Sequence, residues 1–484
     1  MCVRRQGDDF GGVCREFANA SQLHFEGLPQ RSLALAAVGL AAAFLVSAPA
    51  FADDAASVNG VPPSSIATSL PAEGDPTGMR RWLAERGITL GLVYTGEALR
   101  NLSGGVRRGG LYEGKLEGFV AADLEKLAGW PGLGFFANAF QIHHTAGLRD
   151  QHFESLITIS NIEAVPSTRL SELWLEQKLF DDRFSIRAGQ LAADTEFFVS
   201  DYSRMLISSD WPTIVGGNLP SGGPAYPLAT PGIRLKFDPS PNWTALVGLF
   251  NGDPGGQATV NRTGTNFRVN DPPLLMGELQ YRYNQDKDSR GLAGTLRLGG
   301  WHHFGSFADV RFDDAGLSQA SPLSSGNARL FRGSSGIYGI IDQQIYRPEG
   351  GDAASGIAVF SRISGTPSDR NLIDFFLDTG IVFSGLLPGR PEDRLGASLI
   401  CAHISDQARA LDRDMIDMTG IHQPLRDFEL TFEISYQAQI KPGWTLQPVF
   451  EYIVHPGGHV PDPLLPSTAV KSGALIGVRS TIAY

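Results

Sequence analysis

The chain has 484 residues, with 40 Lys and Arg against 51 Asp and Glu for a formal charge of -11, and only 3 cysteines. The acidic balance argues against a nucleic-acid partner. Cys2 and Cys14 lie in the N-terminal leader described next, so Cys401 is expected to stand alone as small apolar filler in the mature chain, excluding an internal disulfide and a thiolate metal centre.

Leu33 to Val46 is an unbroken run of apolar and small residues, preceded by Arg31 and followed by Ala50-Phe51-Ala52. It is shorter than the roughly 20 residues a spanning helix needs. With a small-residue cleavage site directly after it, the run reads as a secretory signal peptide. Residues 1–52 are therefore predicted to be a leader, with the mature chain starting near Asp53, and the long stretch before the run places the true start codon later than Met1. The leader holds as many basic residues (Arg4, Arg5, Arg15, Arg31) as acidic ones (Asp8, Asp9, Glu16, Glu26), so its loss leaves the charge unchanged. Residues 53–76, rich in Pro, Ser and Ala, read as a disordered lead-in. Thr77 to Arg86 reads as a short helix, periplasmic or plugging, that completes an N-terminal segment ending at residue 87.

No run of about 18 apolar residues follows the leader, which excludes helical membrane spans. The apolar residues instead fall on every second position. In Phe428 to Ile440, Phe428, Leu430, Phe432, Ile434, Tyr436, Ala438 and Ile440 share one parity, and Glu429, Thr431, Glu433, Ser435, Gln437 and Gln439 share the other. This is strand periodicity, over a length that suits a bilayer better than a soluble sheet, whose strands average about 5 or 6 residues. The pattern recurs at Leu275 to Asn284 and at Leu173 to Leu179, where Glu172, Trp174, Glu176 and Lys178 form a face that is costly toward lipid and natural toward a wet lumen.

About sixteen such segments follow one another, near residues 88–97, 111–124, 133–144, 169–180, 184–191, 231–238, 242–250, 274–284, 292–304, 336–346, 354–365, 372–384, 393–404, 426–440, 443–454 and 473–484. The expected fold is all-β, a transmembrane antiparallel barrel of about 16 strands spanning residues 88–484, in the outer membrane of a Gram-negative bacterium. Short links alternate with long ones as periplasmic turns and external loops do. The one misfit is the short link Thr366 to Asn371, where a long loop is due. The longest loop, 192–230, is the third external one and is rich in Gly, Pro and aromatic residues.

Several passages resemble the carbohydrate-selective porins of the OprB type. They are Asp123-Leu-Glu-Lys126 running into Gly129-Trp130; Gly189-Gln190 with Asp194-Thr-Glu-Phe-Phe198; the long run from Asn218 to Arg234; Phe250-Asn-Gly-Asp-Pro254; and Ser435-Tyr-Gln437, Leu446-Gln-Pro448 and His455-Pro-Gly-Gly458. Together they cover nearly the whole mature chain in order. The resemblance implies a 16-stranded channel for passive, diffusion-driven uptake of mono- or small oligosaccharides such as glucose. It also implies a third loop that folds inward to constrict the pore, and a terminal Tyr484 of the kind that barrel assembly machinery reads. Expected partners are sugars as solutes, outer-membrane lipid and lipopolysaccharide, and further copies of the chain, as monomer or trimer. No cofactor is expected.

A sugar offers hydroxyls and apolar ring faces, so a selective lumen needs carboxylates, guanidinia and aromatic faces. The lumen parity supplies Glu172, Trp174, Glu176, Lys178, Arg187, Arg234, Lys236, Glu278, Arg282, Glu433 and Arg479, with Asp194, Glu196 and Phe197 in the constricting loop. The plainer alternative is that these residues only keep the lumen wet and neutralise each other. Trp174 also suits an interfacial girdle. The pairs His143-His144 and His302-His303 cannot chelate, because adjacent strand residues face opposite ways. Asp313-Asp314, in a long external loop, is solvated or bridges lipopolysaccharide through divalent ions. The rival readings are a general or ion-selective porin of the same fold and an outer-membrane hydrolase. No G-x-S-x-G or H-E-x-x-H supports the hydrolase, so the chain does not read as an enzyme.

Overall fold

A computed structural model describes residues 60–62 and 64–484. The leader, its cleavage site and the start of the lead-in lie outside the described residues. The chain forms β1 (Ile88–Ser103), β2 (Gly109–Asp123), β3 (Leu133–His144), β4 (Ser167–Leu179), β5 (Phe184–Leu191), β6 (Thr230–Ser240), β7 (Trp243–Asn251) and β8 (Pro273–Tyr283). It continues with β9 (Gly294–Asp313), β10 (Ala328–Tyr346), β11 (Gly356–Gly365), β12 (Ile373–Ser384), β13 (Arg394–Ile404), β14 (Phe428–Lys441) and β15 (Trp444–Val454). A small hairpin, β16 (Pro461–Asp462) and β17 (Leu465–Ala469), precedes the last strand, β18 (Gly473–Ala483). All but that hairpin form one closed barrel in which sequence neighbours pair and β18 joins β15 to β1. Closure satisfies every ladder without leaving an edge, as a lipid environment demands. Each of the sixteen alternating segments is one of its strands.

The alternation decides which side chains meet lipid. In β14, Glu429, Thr431, Glu433 and Ser435 are buried inside, while Ile434 faces out at 53% exposure. In β8, Met276, Glu278 and Gln280 are buried and Leu275 and Leu279 are exposed. Leu235, Val247, Leu249, Leu298, Ile337 and Ile476 extend this exposed apolar belt around the barrel. Such a surface is stable only against hydrocarbon. Trp243 and Tyr281 pack with tilted rings 4.7 Å apart near the short-turn rim, where amphipathic rings suit the interface.

Four expectations are corrected. The link between β9 and β10 was expected to be a loop over residues 305–335. Instead both strands continue beyond the belt as a paired hairpin, with Phe331 opposite Phe307 and Ala328 opposite Asp313. In that hairpin Asp313 is not free to bridge ions: it is buried and accepts from the N–H groups of Ala315, Leu317 and Ser325. The described end of the lead-in is not disordered. Ile66–Ser69 and Pro71–Gly74 form 3-10 turns, and the Tyr484 hydroxyl donates to Gly74 O. Finally, Cys401 is disulfide-bonded and buried in β13, so it is not an unpaired filler. The helix expected over 77–86 spans Met79–Ala84 and packs at the short-turn rim, where Arg80 lies 4.4 Å over the Tyr484 ring.

Candidate functional site in the barrel lumen

The inner wall is built by register. Cross-strand pairing places Glu176 beside Arg187, Arg187 beside Arg234, Glu433 beside Glu451, and Arg479 beside Glu97. Into this wall folds the loop between β5 and β6. Its Phe197, Phe198, Leu206, Ile207, Ile214 and Val215 are buried, although they lie outside any strand.

The loop is tied along the wall by donors and acceptors from one strand after another. Phe198 stacks on Tyr338 at 3.9 Å, and its N–H donates to Glu278 at 3.0 Å. Arg297 of β9 pairs with Asp201 at 2.7 Å and also with Asp342 of β10, which accepts from the Asp201 N–H at 3.0 Å. Arg362 of β11 pairs with Asp378 of β12 and donates to Ser209 Oγ at 2.7 Å and Asp210 O at 3.1 Å. Glu433 of β14 accepts from the Ile207 N–H at 3.0 Å and the Ser208 N–H at 2.8 Å. Gln447 of β15 donates to Met205 O at 2.8 Å. The loop thus leaves β5, crosses the lumen to β14 and β15, and returns to β6. Loop amides that would otherwise be orphaned inside the barrel find wall carboxylates, which removes a cost of about 1–3 kcal/mol each.

Five of the predicted site residues converge. Glu176 accepts from Arg234 at 2.7 Å and from Arg187 at 3.0 Å; Glu196, from the loop, lies 2.7 Å from Arg234 and 3.6 Å from Arg187. Arg187 lies 3.8 Å over the Trp174 ring, and Trp174 stacks on Phe136 at 5.0 Å. Trp174 is therefore an inner-wall residue, not a girdle residue. Glu172 adjoins this group and accepts from the Ala192 N–H at 3.2 Å. Asp194 accepts from the Tyr226 N–H at 2.8 Å.

The remaining predicted residues are scattered. Lys178 and Lys236 pair with Asp182 at 3.4 Å and Asp238 at 3.0 Å. Arg282 donates to Gln280 at 3.0 Å. Glu278 and Glu433 dock the loop as described, and Arg479 donates to Glu97 and, at 2.6 Å, to Asn161. Phe197 turns to the wall against Phe250, edge-on at 6.1 Å. The histidine pairs diverge as expected: His302 bonds Ser335 at 2.7 Å, and His303 bonds Gly252 O at 3.1 Å.

Sequence reasoning passed over Arg297, Asp342, Arg362 and Asp378. Asp378 directly follows Phe375, Phe376 and Leu377, and an ionisable residue at the end of such an apolar run in a spanning segment is itself a signal. It also passed over Asp210 and Arg204, which share the loop's half-buried face with the predicted Asp194, and Lys115 of β2, whose Nζ lies 4.8 Å over Phe140 and 4.9 Å over Tyr226. Burial pushes the Asp194 carboxyl up to about 6 and that of Asp210 up to about 7, against the opposing pull of Lys115 on both.

Residues 107–484 match the family model described as "Carbohydrate-selective porin, OprB family". The chain belongs to that family. It is 27% identical over 404 residues to Porin B of Pseudomonas aeruginosa, an alignment covering 80% of this chain and 87% of that one. Its fold matches a high-pH structure of Pseudomonas putida OprB with a TM-score of 0.73 at 20% identity, covering 85% of this chain and 97% of the other. As a member of this porin family the protein is an outer-membrane carbohydrate channel, and sugars are its solutes.

Proposed function

We propose that the channel admits mono- or small oligosaccharides of glucose type by passive diffusion, and that the loop 192–230 is the constriction that sorts them. The observation that carries this reading is the Glu176, Arg187, Arg234 and Glu196 group beside Trp174. Two carboxylates and two guanidinia cancel in net charge, and the half-buried Arg187 and Glu196 offer donors and acceptors to the lumen in front of the buried Glu176, Arg234 and Trp174. A neutral polyol meets such a wall without a counter-ion penalty, and its hydroxyls exchange water for these groups. Binding stays weak, as conduction requires. The channel needs no nucleophile and performs no reaction. Signal-peptide removal near Ala52, contact with lipopolysaccharide, delivery by barrel assembly machinery through Tyr484, and a monomeric or trimeric assembly complete the reading.

A second reading, an ion-selective porin, is favoured by the acidic excess on the β14 to β2 side, where Glu433 lies opposite Glu451 and Glu113 opposite Glu97, which pairs with Arg479. Single-channel conductance in planar bilayers with glucose and maltose titrated against the open current separates the two. We expect saturable sugar block in the parent channel and block at least about tenfold weaker in Arg187→Ala, the equivalent of about 1.4 kcal/mol. A steady current indifferent to every sugar would leave the ion-selective reading.

A further inference from the structure

The turn that follows β15 is built in an unusual way. His455, Gly457, Gly458 and His459 all have positive φ, at 52°, 69°, 72° and 73°. The Asp427 N–H donates to Gly458 O at 2.9 Å, which pins the turn to the start of β14. The consequence is that two imidazoles four residues apart lie face to face, with centroids 4.2 Å apart and planes within 8°. Both present Nδ1 to one carboxylate: His455 Nδ1 is 3.0 Å from Asp427 Oδ1, and His459 Nδ1 is 3.9 Å from Asp427 Oδ2. One ligand atom from each of the three residues lies within 4.8 Å of the others. All three side chains are half-buried, open to an ion arriving from the external side.

Two stacked imidazolium ions would repel each other, so a protonated pair is a poor explanation of this geometry. Two neutral imidazole nitrogens and one carboxylate oxygen form a borderline donor set, suited to Zn²⁺ with bonds of about 2.0–2.2 Å and a fourth position left to water. Tetrahedral ligands at those bond lengths stand on the order of 3.4 Å apart, a small adjustment from the distances here.

We propose that Asp427, His455 and His459 form a Zn²⁺ site at the external mouth of the channel. Its place gives it leverage. Gly457 N–H in the same turn donates to Glu429, which also accepts from Leu156 N–H at 2.9 Å and Ile157 N–H at 2.8 Å in the loop after β3. A metal that fixes the turn therefore fixes the point where two external loops share one wall carboxylate.

The test is titration calorimetry of the purified mature porin in detergent with Zn²⁺ alone, beside His459→Asn and Asp427→Asn. Asn tolerates the positive φ at 459, and at 427 it keeps an acceptor for the Phe428 N–H, so both variants should retain the heat-modifiable migration of a folded barrel. We expect one saturable Zn²⁺ per chain, with affinity lowered at least about tenfold in each variant. Absence of saturable binding in the parent, or an isotherm unchanged in both folded variants, would overturn the proposal.

Discussion

The two sides of the lumen handle buried charge differently. On the β4 to β6 side, Glu176 and Glu196 face Arg187 and Arg234, and each carboxylate is matched by a guanidinium. On the β14 to β2 side, Glu433 lies opposite Glu451 and Glu113 opposite Glu97, Glu97 pairs with Arg479, and Glu433 is satisfied by loop N–H and hydroxyl groups. The first arrangement relies on ion pairs and the second on hydrogen bonds from the loop it anchors. It follows that on the paired side Glu176 is held by its own strands, with Glu196 of the loop completing the group, whereas on the acidic side Glu433 depends on the loop staying in place.

The largest expected effect comes from breaking the paired side. Arg234→Ala leaves Glu176 and Glu196 buried with one guanidinium between them, a loss of about 3–5 kcal/mol. It should appear as a lower temperature for loss of the folded band on gels, and an unchanged transition would mean that the pairing is idle. Glu433→Ala is milder, because it strands two loop N–H groups at about 1–3 kcal/mol and spares the strand ladder. Its signature is protease cleavage within residues 198–210 of an otherwise intact barrel; resistance equal to the parent would contradict the dependence drawn above.

The smallest effect is a shift in ion preference with pH. Burial raises Asp194 to about 6 and Asp210 to about 7, against the opposing pull of Lys115 on both, of Arg204 on Asp194 and of Arg362 on Asp210. As pH falls through this window the two carboxylates become neutral and the nearby cations are left unbalanced, so preference for cations should fall. Reversal potentials in a salt gradient at pH 8 and pH 5 read this directly. The double variant Asp194→Asn, Asp210→Asn should flatten the response.

The barrel was readable in the sequence because one physical demand, apolar toward lipid and polar toward the lumen, repeats in each strand. Where the demand lapses, so does the signal. β9 and β10 continue past the membrane belt, and residues 305–313 keep no apolar parity to mark it. In β12, Phe375, Phe376 and Leu377 hide the inward Asp378. The charged inner face of β4 was legible, but its partners were not, since Arg234 meets Glu176 only through a register that joins three strands. The docking of Phe198 on Tyr338 couples residues far apart in the chain, and no local pattern announces it. The Asp427, His455 and His459 group escaped notice because its ligands come from two loops and a left-handed turn.

A hollow cylinder flattens most easily across its diameter, and this one carries an internal spoke. The chain between β5 and β6 leaves one side, is fastened to β8, β10, β11, β14 and β15, and returns, so that opposite walls are held at a set separation. Cutting the spoke would do more than widen the opening. The cross-section would begin to breathe, and the current through it would become noisy before it became larger.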